Sequence, residues 1–222
     1  MQFDQIASKY DLINRILSGG VDLYWRRKVG SFLPNNEKIK LLDCATGTGD
    51  QLLTLLRNPS VHQAVGIDIA PEMIAIGQRK LKPQAHRAEL KIASATAIPY
   101  LDHAFDVVTM SFGIRNVDNV NGCLQEIYRV LAHRGRVLIL EFSIPQQKSV
   151  KKAYLLYLNQ LLPKIGKLIS AHSEAYSYLS RTIQSFPHGE QFCDLMRAAG
   201  FQNVKAHPLS FGIVTIYQGD KE

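Results

Sequence analysis

Ile39-Lys40-Leu41-Leu42-Asp43-Cys44-Ala45-Thr46-Gly47-Thr48-Gly49-Asp50 is the stretch that decides the fold. Residues 39–46 form a short apolar run of the kind buried on both faces of a sheet. Gly47 and Gly49 end it in a turn, and a polar-capped helix is expected from Asp50 to about residue 57. The same alternation continues outward. Residues 64–69 read as a second strand, and Pro71 stands near the start of a helix, where its missing N–H is harmless. Residues 90–96, 105–112 and 135–143 read as further strands, while Val120, Leu124, Ile127 and Leu131 give residues 118–131 a helical period. Strands and helices alternating at this spacing predict βαβ units, a parallel sheet and right-handed crossovers. Residues 192–199 look helical, and two β-prone runs at 203–209 and 213–218 predict an antiparallel hairpin at the sheet edge. The expectation is an open α/β sheet with helices on both faces, binding its ligands at the carboxyl ends of the strands.

Composition agrees with one domain over residues 1–222. The chain is 46% hydrophobic and 20% charged, without low-complexity tracts, so disorder and solenoid arrays are disfavoured. Residues 1–35 read as a helical segment broken at Gly19-Gly20 and stopped at Pro34. Asp4 and Asp11 interrupt the start, unlike a signal peptide, and no stretch reaches the roughly 18 apolar residues of a membrane span. Cys44, Cys123 and Cys193 are odd in number and widely spaced. That pattern fits a reduced, cytoplasmic protein rather than a disulfide framework or a zinc site. The seven histidines show no metal-ligand spacing, so no metal is expected. The formal net charge is +7, and much of it is local: from Ile144 to Ser173 there are five lysines and no Asp or Glu.

The glycine loop narrows the ligand. The dinucleotide fingerprint needs a third glycine where Leu52 stands, and no P-loop pattern occurs, which disfavours NAD, FAD and ATP. Asp68 closes the second strand about 20 positions beyond the loop, where a carboxylate can take ribose hydroxyls. Asp43, four residues before the first glycine, is unusual for NAD folds. The D-x-x-x-G-x-G loop followed by an acidic strand end resembles class I S-adenosylmethionine methyltransferases. That resemblance implies a Rossmann-like, mostly parallel seven-stranded sheet.

A closer resemblance lies in Tyr10-Asp11-Leu12-Ile13-Asn14 through Ser18 and Trp25, in Arg129-Val130 through Glu141-Phe142-Ser143, and in Ser111-Phe112-Gly113-Ile114-Arg115-Asn116-Val117 between them. These segments are similar to the ubiquinone/menaquinone biosynthesis C-methyltransferase family, whose members methylate a ring carbon of polyprenyl quinols. The likeness runs from about residue 3 to the C-terminus. The chain departs from the family pattern at Ile13, Asp22, Ala132-His133-Arg134-Gly135 and Ser94-Ala95.

The resemblance implies S-adenosyl-L-methionine as cofactor, its demethylated form S-adenosyl-L-homocysteine as product, and cofactor contacts at Gly47, Thr48, Gly49, Asp68, Ser94, Ala95 and Ser111. It implies methylation of demethylmenaquinol to menaquinol, with 2-methoxy-6-polyprenyl-1,4-benzoquinol as the alternative substrate. A quinol carbon becomes nucleophilic when the neighbouring phenol, with a pKa near ~10, loses its proton. A cation for the phenolate and a proton acceptor are therefore needed. Arg115 suits the first role, Asn116 can orient an oxygen, and Tyr10 can contact the ring. Glu141, Asp22 and His172 are the candidate bases, acting through water. Residues 148–170 place Val150, Tyr154, Tyr157, Leu158 and Leu161 at helical spacing before Pro163, expected to break the run. They read either as a core helix with a lysine-rich face or as part of a helical lid, about 146–185, over an apolar quinol pocket touching anionic lipid at the inner face of the membrane. A nucleic-acid methyltransferase is disfavoured, because the fourth strand ends Ser111-Phe112-Gly113 rather than in a [DNS]-P-P-[FY] motif. A non-catalytic quinone or lipid carrier on the same fold is the competing reading from another class.

Overall fold

A computed structural model of the chain describes residues 15, 18–35, 38–164 and 173–222, with residues 173–175 by backbone alone. Its frame is a seven-stranded sheet built from β1 (Ile39–Cys44), β2 (Val61–Asp68), β3 (Ala88–Ile92), β4 (Phe105–Ser111), β5 (Leu131–Phe142), β6 (Gln202–Leu209) and β7 (Val214–Asp220). The strand order is β3-β2-β1-β4-β5-β7-β6. The first five strands pair in parallel, whereas β7 runs antiparallel to both β5 and β6. The expected C-terminal hairpin is thus present, with its second strand inserted inside the sheet and its first forming the edge.

The central strands are largely apolar because both of their faces are covered, whereas the edge strands β3 and β6 are mostly exposed or half-buried. Successive residues alternate between two cores: Leu42, Cys44, Val108, Met110, Val137 and Ile139 belong to one, and Leu41, Val107, Leu138 and Leu140 to the other. Helices α1 (Asp22–Gly30), α2 (Asp50–Leu55) and α3 (Pro71–Leu81) close the second core through Trp25, Val29, Leu52, Leu55, Ile74 and Leu81. Helices α4 (Val120–Val130) and α7 (Glu190–Ala198) close the first through Leu124, Ile127, Phe192 and Met196. Strand order reverses at β1/β4, the switch point of the sheet, so the loops beyond those strands diverge and leave a crevice.

A third, smaller core lies above that edge. Helix α5 (Lys148–Leu156), a π turn over Tyr157–Leu161, and α6 (Ser173–Ser185) contribute Tyr154, Leu158, Leu162, Tyr176 and Ile183, which pack with Ile144. The expected break at Pro163 does not occur, because residues 162–164 remain helical. The N–H of Leu162 bonds the carbonyl of Tyr157, five residues back, and this widened turn lies just before the proline ring that would crowd a regular helix. The free thiols of Cys44, Cys123 and Cys193 are all buried in the first core. No described helix is long and apolar enough to cross a membrane.

Candidate active site

The loop after β1 is shaped by its glycines and by one buried acid. Gly47 and Gly49 sit at φ +57° and +81°, a region that L side chains enter only with strain. At Gly49 a Cβ would also come within 2.8 Å of Leu81 on α3. Asp43 is fully buried, and it accepts hydrogen bonds from the hydroxyls of Thr46 at 2.7 Å and Thr109 at 2.6 Å. It therefore pins the loop to β4. Burial pushes its carboxyl up to about 6, against the hydroxyl bonds and the Arg26 charge, which pull it down.

Two cavities meet above the switch point. The first, of about 280 Å³, is bordered by Gly47, Asp68, Ser94, Ala95, Ser111 and Asn116, from the ends of four different strands. Asp68 holds its rim together, accepting the Gly47 N–H at 2.8 Å and the Ala70 N–H at 2.9 Å. The Ser111 hydroxyl donates to Gln51 at 3.1 Å. Thr48 and Gly49 do not line this cavity. Thr48 borders a small adjoining cleft with Arg26, Asp50 and Gln51, and its hydroxyl accepts from Lys80 at 3.0 Å. Gly49 is occupied in turning the chain into α2 and packing against α3.

The second cavity, of about 390 Å³, is apolar. Trp25, Phe112, Phe142, Tyr154, Leu158 and Ile183 are among its walls. Phe112 borders both cavities and is held at φ +59°, a strained conformation for a bulky residue. Its ring lies 4.7 Å from Phe142 and 6.1 Å from Trp25, so an aromatic wall separates the polar space from the apolar one.

Arg115 and Asn116 occupy one 3-10 turn, Ile114–Asn116, yet serve different sides. Asn116 borders the polar cavity and accepts from the Tyr178 hydroxyl at 3.3 Å. Arg115 borders the apolar one. Its Nη1 donates to Glu141 at 2.8 Å and to the Phe112 carbonyl at 2.7 Å, while its Nε is buried without a hydrogen-bond partner. The Glu141 carboxylate also accepts the Phe142 N–H at 2.8 Å, so it is engaged as an anchor for Arg115 rather than presented as a base. Asp22 is the candidate base that borders the apolar cavity; it accepts from Ser18 at 2.9 Å. Tyr10 and His172 lie outside the described residues.

Sequence reasoning passed over Arg26 and gave Phe112 and Phe142 no role. Arg26 directly follows the Trp25 of the first motif, borders both the apolar cavity and the small cleft, and buries an Nε without a hydrogen-bond partner. Its guanidinium stacks 5.4 Å above the Phe112 ring. The signal for the aromatic pair was position, since each stands at the carboxyl end of a central strand.

A five-strand parallel sheet extended by a reversed β7, with paired cavities at the carboxyl edge, is the class I methyltransferase fold. A SAM-dependent methyltransferase of Thermotoga maritima shares it, with a TM-score of 0.70 at 19% identity over 99% of this chain and 98% of that one. The chain belongs to the ubiE/COQ5 methyltransferase family, whose profile matches residues 1–221. Among its relatives are a demethylmenaquinone methyltransferase of Thermus thermophilus, 41% identical over 99% of both chains, and a ubiquinone/menaquinone biosynthesis C-methyltransferase of Geotalea daltonii, 43% identical over 99% of this chain and 94% of that one.

Proposed function

We propose that this chain transfers a methyl group from S-adenosyl-L-methionine to a ring carbon of a polyprenyl quinol, converting demethylmenaquinol to menaquinol. The relatives' names support the reaction, and the observation that carries it is the pairing of a polar cavity with an apolar one across the single ring of Phe112. The residues fit the cofactor. Asp68 suits the ribose, Ser94-Ala95 and Ser111 border the remainder of the polar cavity, and Gly47 permits close approach. The cleft holding Thr48, Asp43 and Asp50 is also bordered by Arg26, whose Nε makes no hydrogen bond and lies 4.0 Å from Asp22. That combination of acids and a guanidinium suits a zwitterionic amino-acid arm, with Arg26 on its carboxylate.

When bound, the cofactor supplies a methyl group activated by its sulfonium. The protein aligns the ring carbon with that methyl and excludes water. Arg115 holds the quinol oxygen as it loses its proton, and Asp22 accepts that proton through water. Methylation of the ring carbon is then completed as the ring proton leaves to water and Asp22 returns its proton, through the same water, to the quinol oxygen. The test is turnover of detergent-dispersed demethylmenaquinol and 2-methoxy-6-polyprenyl-1,4-benzoquinol in one mixture, read by mass. Methylation of the naphthoquinol ahead of the benzoquinol is expected. The reverse order would shift the assignment to the alternative substrate, and binding without turnover would point to a carrier.

Helices α5 and α6 serve as a lid over the apolar cavity, and α5 also meets the membrane that dissolves the substrate tail. Its Tyr154, like Leu158 in the π turn that follows, is buried, whereas Lys148, Lys151, Lys152 and Leu156 are exposed. Each lysine near an anionic surface contributes ~1 kcal/mol. Flotation with anionic vesicles is therefore expected to recover the protein at low salt and to lose it at high salt. Equal recovery with neutral vesicles would leave α5 as a lid alone.

A further inference from the structure

Buried polar atoms without partners are rare in folded proteins, and each asks for an explanation. Among the described residues, three that border the same apolar cavity bury such an atom: Arg26 and Arg115, each through its Nε, and Tyr154 on α5 through its hydroxyl. Of these, Arg26 Nε lies 4.0 Å from the Asp22 carboxylate, which leaves Arg115 and Tyr154. Tyr154 is 7% exposed. Its ring stacks on Tyr157 at 6.5 Å and 13°, which leaves the hydroxyl as its polar end in a wall of Val150, Leu158 and Ile183. A tyrosine used only for packing would be replaced by phenylalanine at no loss, because burying an unpaired hydroxyl costs free energy.

We infer that Tyr154 is a second hydrogen-bond donor to the quinol oxygen, acting with Arg115 to hold the phenolate from which the ring carbon attacks. The inference rests on the proposed quinol methylation and deepens it by assigning a residue of the lid to the reacting head. The chemistry is consistent on each side. The Arg115 Nε can only donate and the Tyr154 hydroxyl can donate, so a single acceptor, as a phenolate oxygen is, satisfies both. Burial holds the Tyr154 hydroxyl well above its ordinary pKa, with the neighbouring Tyr157 and Glu141 adding to the rise and Arg115 opposing it. It therefore stays protonated and donates at working pH. The charged groups facing the cavity besides Arg115 are Asp22 and Arg26, which bear on each other at 4.0 Å, and Glu141 faces Arg115 from β5. Because α5 carries the donor, closing the lid over the prenyl tail and completing the phenolate site become one event.

Tyr154→Phe tests this, with Tyr176→Phe as the matched control. Tyr176 also buries a hydroxyl without a partner and belongs to the same small core, yet it does not border the cavity. Both variants delete an unpaired buried hydroxyl, so neither is expected to lower Tm. Tyr154→Phe alone is expected to reduce kcat roughly ten- to hundred-fold, as for the loss of a preorganised donor, with S-adenosylmethionine affinity unchanged. The acidic limb of its kcat profile should move to higher pH, since the phenolate has lost a donor that favoured it. A prenylated nitrophenol reports the same shift directly, through the absorbance of its bound phenolate form. Equal kinetics in the two variants, or a rate loss with an unmoved pH limb, would overturn the inference while leaving quinol methylation standing. A wild-type protein that neither binds the nitrophenol nor methylates quinols would overturn both.

Discussion

Arg115→Ala is expected to lower kcat by about 10²–10³-fold, the effect of removing a preorganised donor from developing charge, while S-adenosylmethionine affinity stays within a factor of about three. The reason is the division of labour within one short turn, in which Arg115 borders the apolar cavity and Asn116 the polar one. The structure adds a complication that the sequence concealed. Arg115 and Glu141 form an ion pair whose side chains are 8% and 1% exposed, and removing one partner of such a pair costs about 3–5 kcal/mol. Rate and stability will therefore fall together in Arg115→Ala, and the variant alone decides little. Glu141→Gln separates the two effects. It breaks the same pair and lowers stability, but it leaves the guanidinium charge in place without its counter-charge. A phenolate beside that charge is favoured, so the acidic limb of the kcat profile moves to lower pH, whereas Arg115→Ala moves it to higher pH. Each unit of displacement corresponds to about 1.4 kcal/mol between protonated and ionised substrate. Arg115→Lys should restore part of the rate, because a point charge lacks the planar fork that Glu141 and the Phe112 carbonyl hold in place. Limbs that move in the same direction in Arg115→Ala and Glu141→Gln, with rates tracking Tm, would make the pair a structural one.

The sheet was legible because its signal is local. A strand buried on both faces is a run of apolar residues, as in β1, β4 and the later part of β2 and β5, whereas in β3 only Leu90 is buried and no described helix separates it from β4. The ends were less legible. β5 begins at Leu131, directly from α4, because Ala132-His133-Arg134-Gly135 continues the strand through a bulged register instead of forming a loop. β3 ends at Ile92, and residues 93–96 instead line the cavity rim, since their neighbours on β2 have already turned away at Asp68. Site residues at strand ends were found through the same pattern, which is why Gly47, Asp68, Ser94, Ala95 and Ser111 converge on one cavity. What stayed hidden was pairing across the fold. Nothing in the sequence joins Glu141 to Arg115, Asp43 to Thr109, or Trp25 to Ser210, whose hydroxyl accepts from the indole at 2.8 Å. Tyr154 occupied an apolar position of a helical period, and that period cannot distinguish a core wall from a cavity wall.

Asp68→Ala is expected to weaken S-adenosylmethionine binding by about 1.5–3 kcal/mol, the range for losing a hydrogen bond to a charged group, which is roughly ten- to more than a hundred-fold in Kd. Two causes contribute, and ligand choice separates them from the role of Arg26. Asp68 accepts the N–H groups of Gly47 and Ala70, so its loss both removes a ribose partner and loosens the loop that borders the cavity. Asp68→Asn, which keeps one carbonyl acceptor for the backbone, should recover part of the affinity by preserving the loop. Methylthioadenosine retains the ribose but lacks the amino-acid arm. Its binding should therefore fall in Asp68→Ala by the same factor as that of the full cofactor. Arg26→Gln should behave in the opposite way, weakening the full cofactor while leaving methylthioadenosine near its wild-type Kd, because only the carboxylate needs the guanidinium. Calorimetry of both ligands against both variants gives four numbers. An unchanged Kd in Asp68→Ala removes Asp68 from the ribose site. Equal losses for the two ligands in Arg26→Gln would mean that Arg26 supports the aromatic wall through Phe112, over which it stacks, rather than the cofactor's carboxylate.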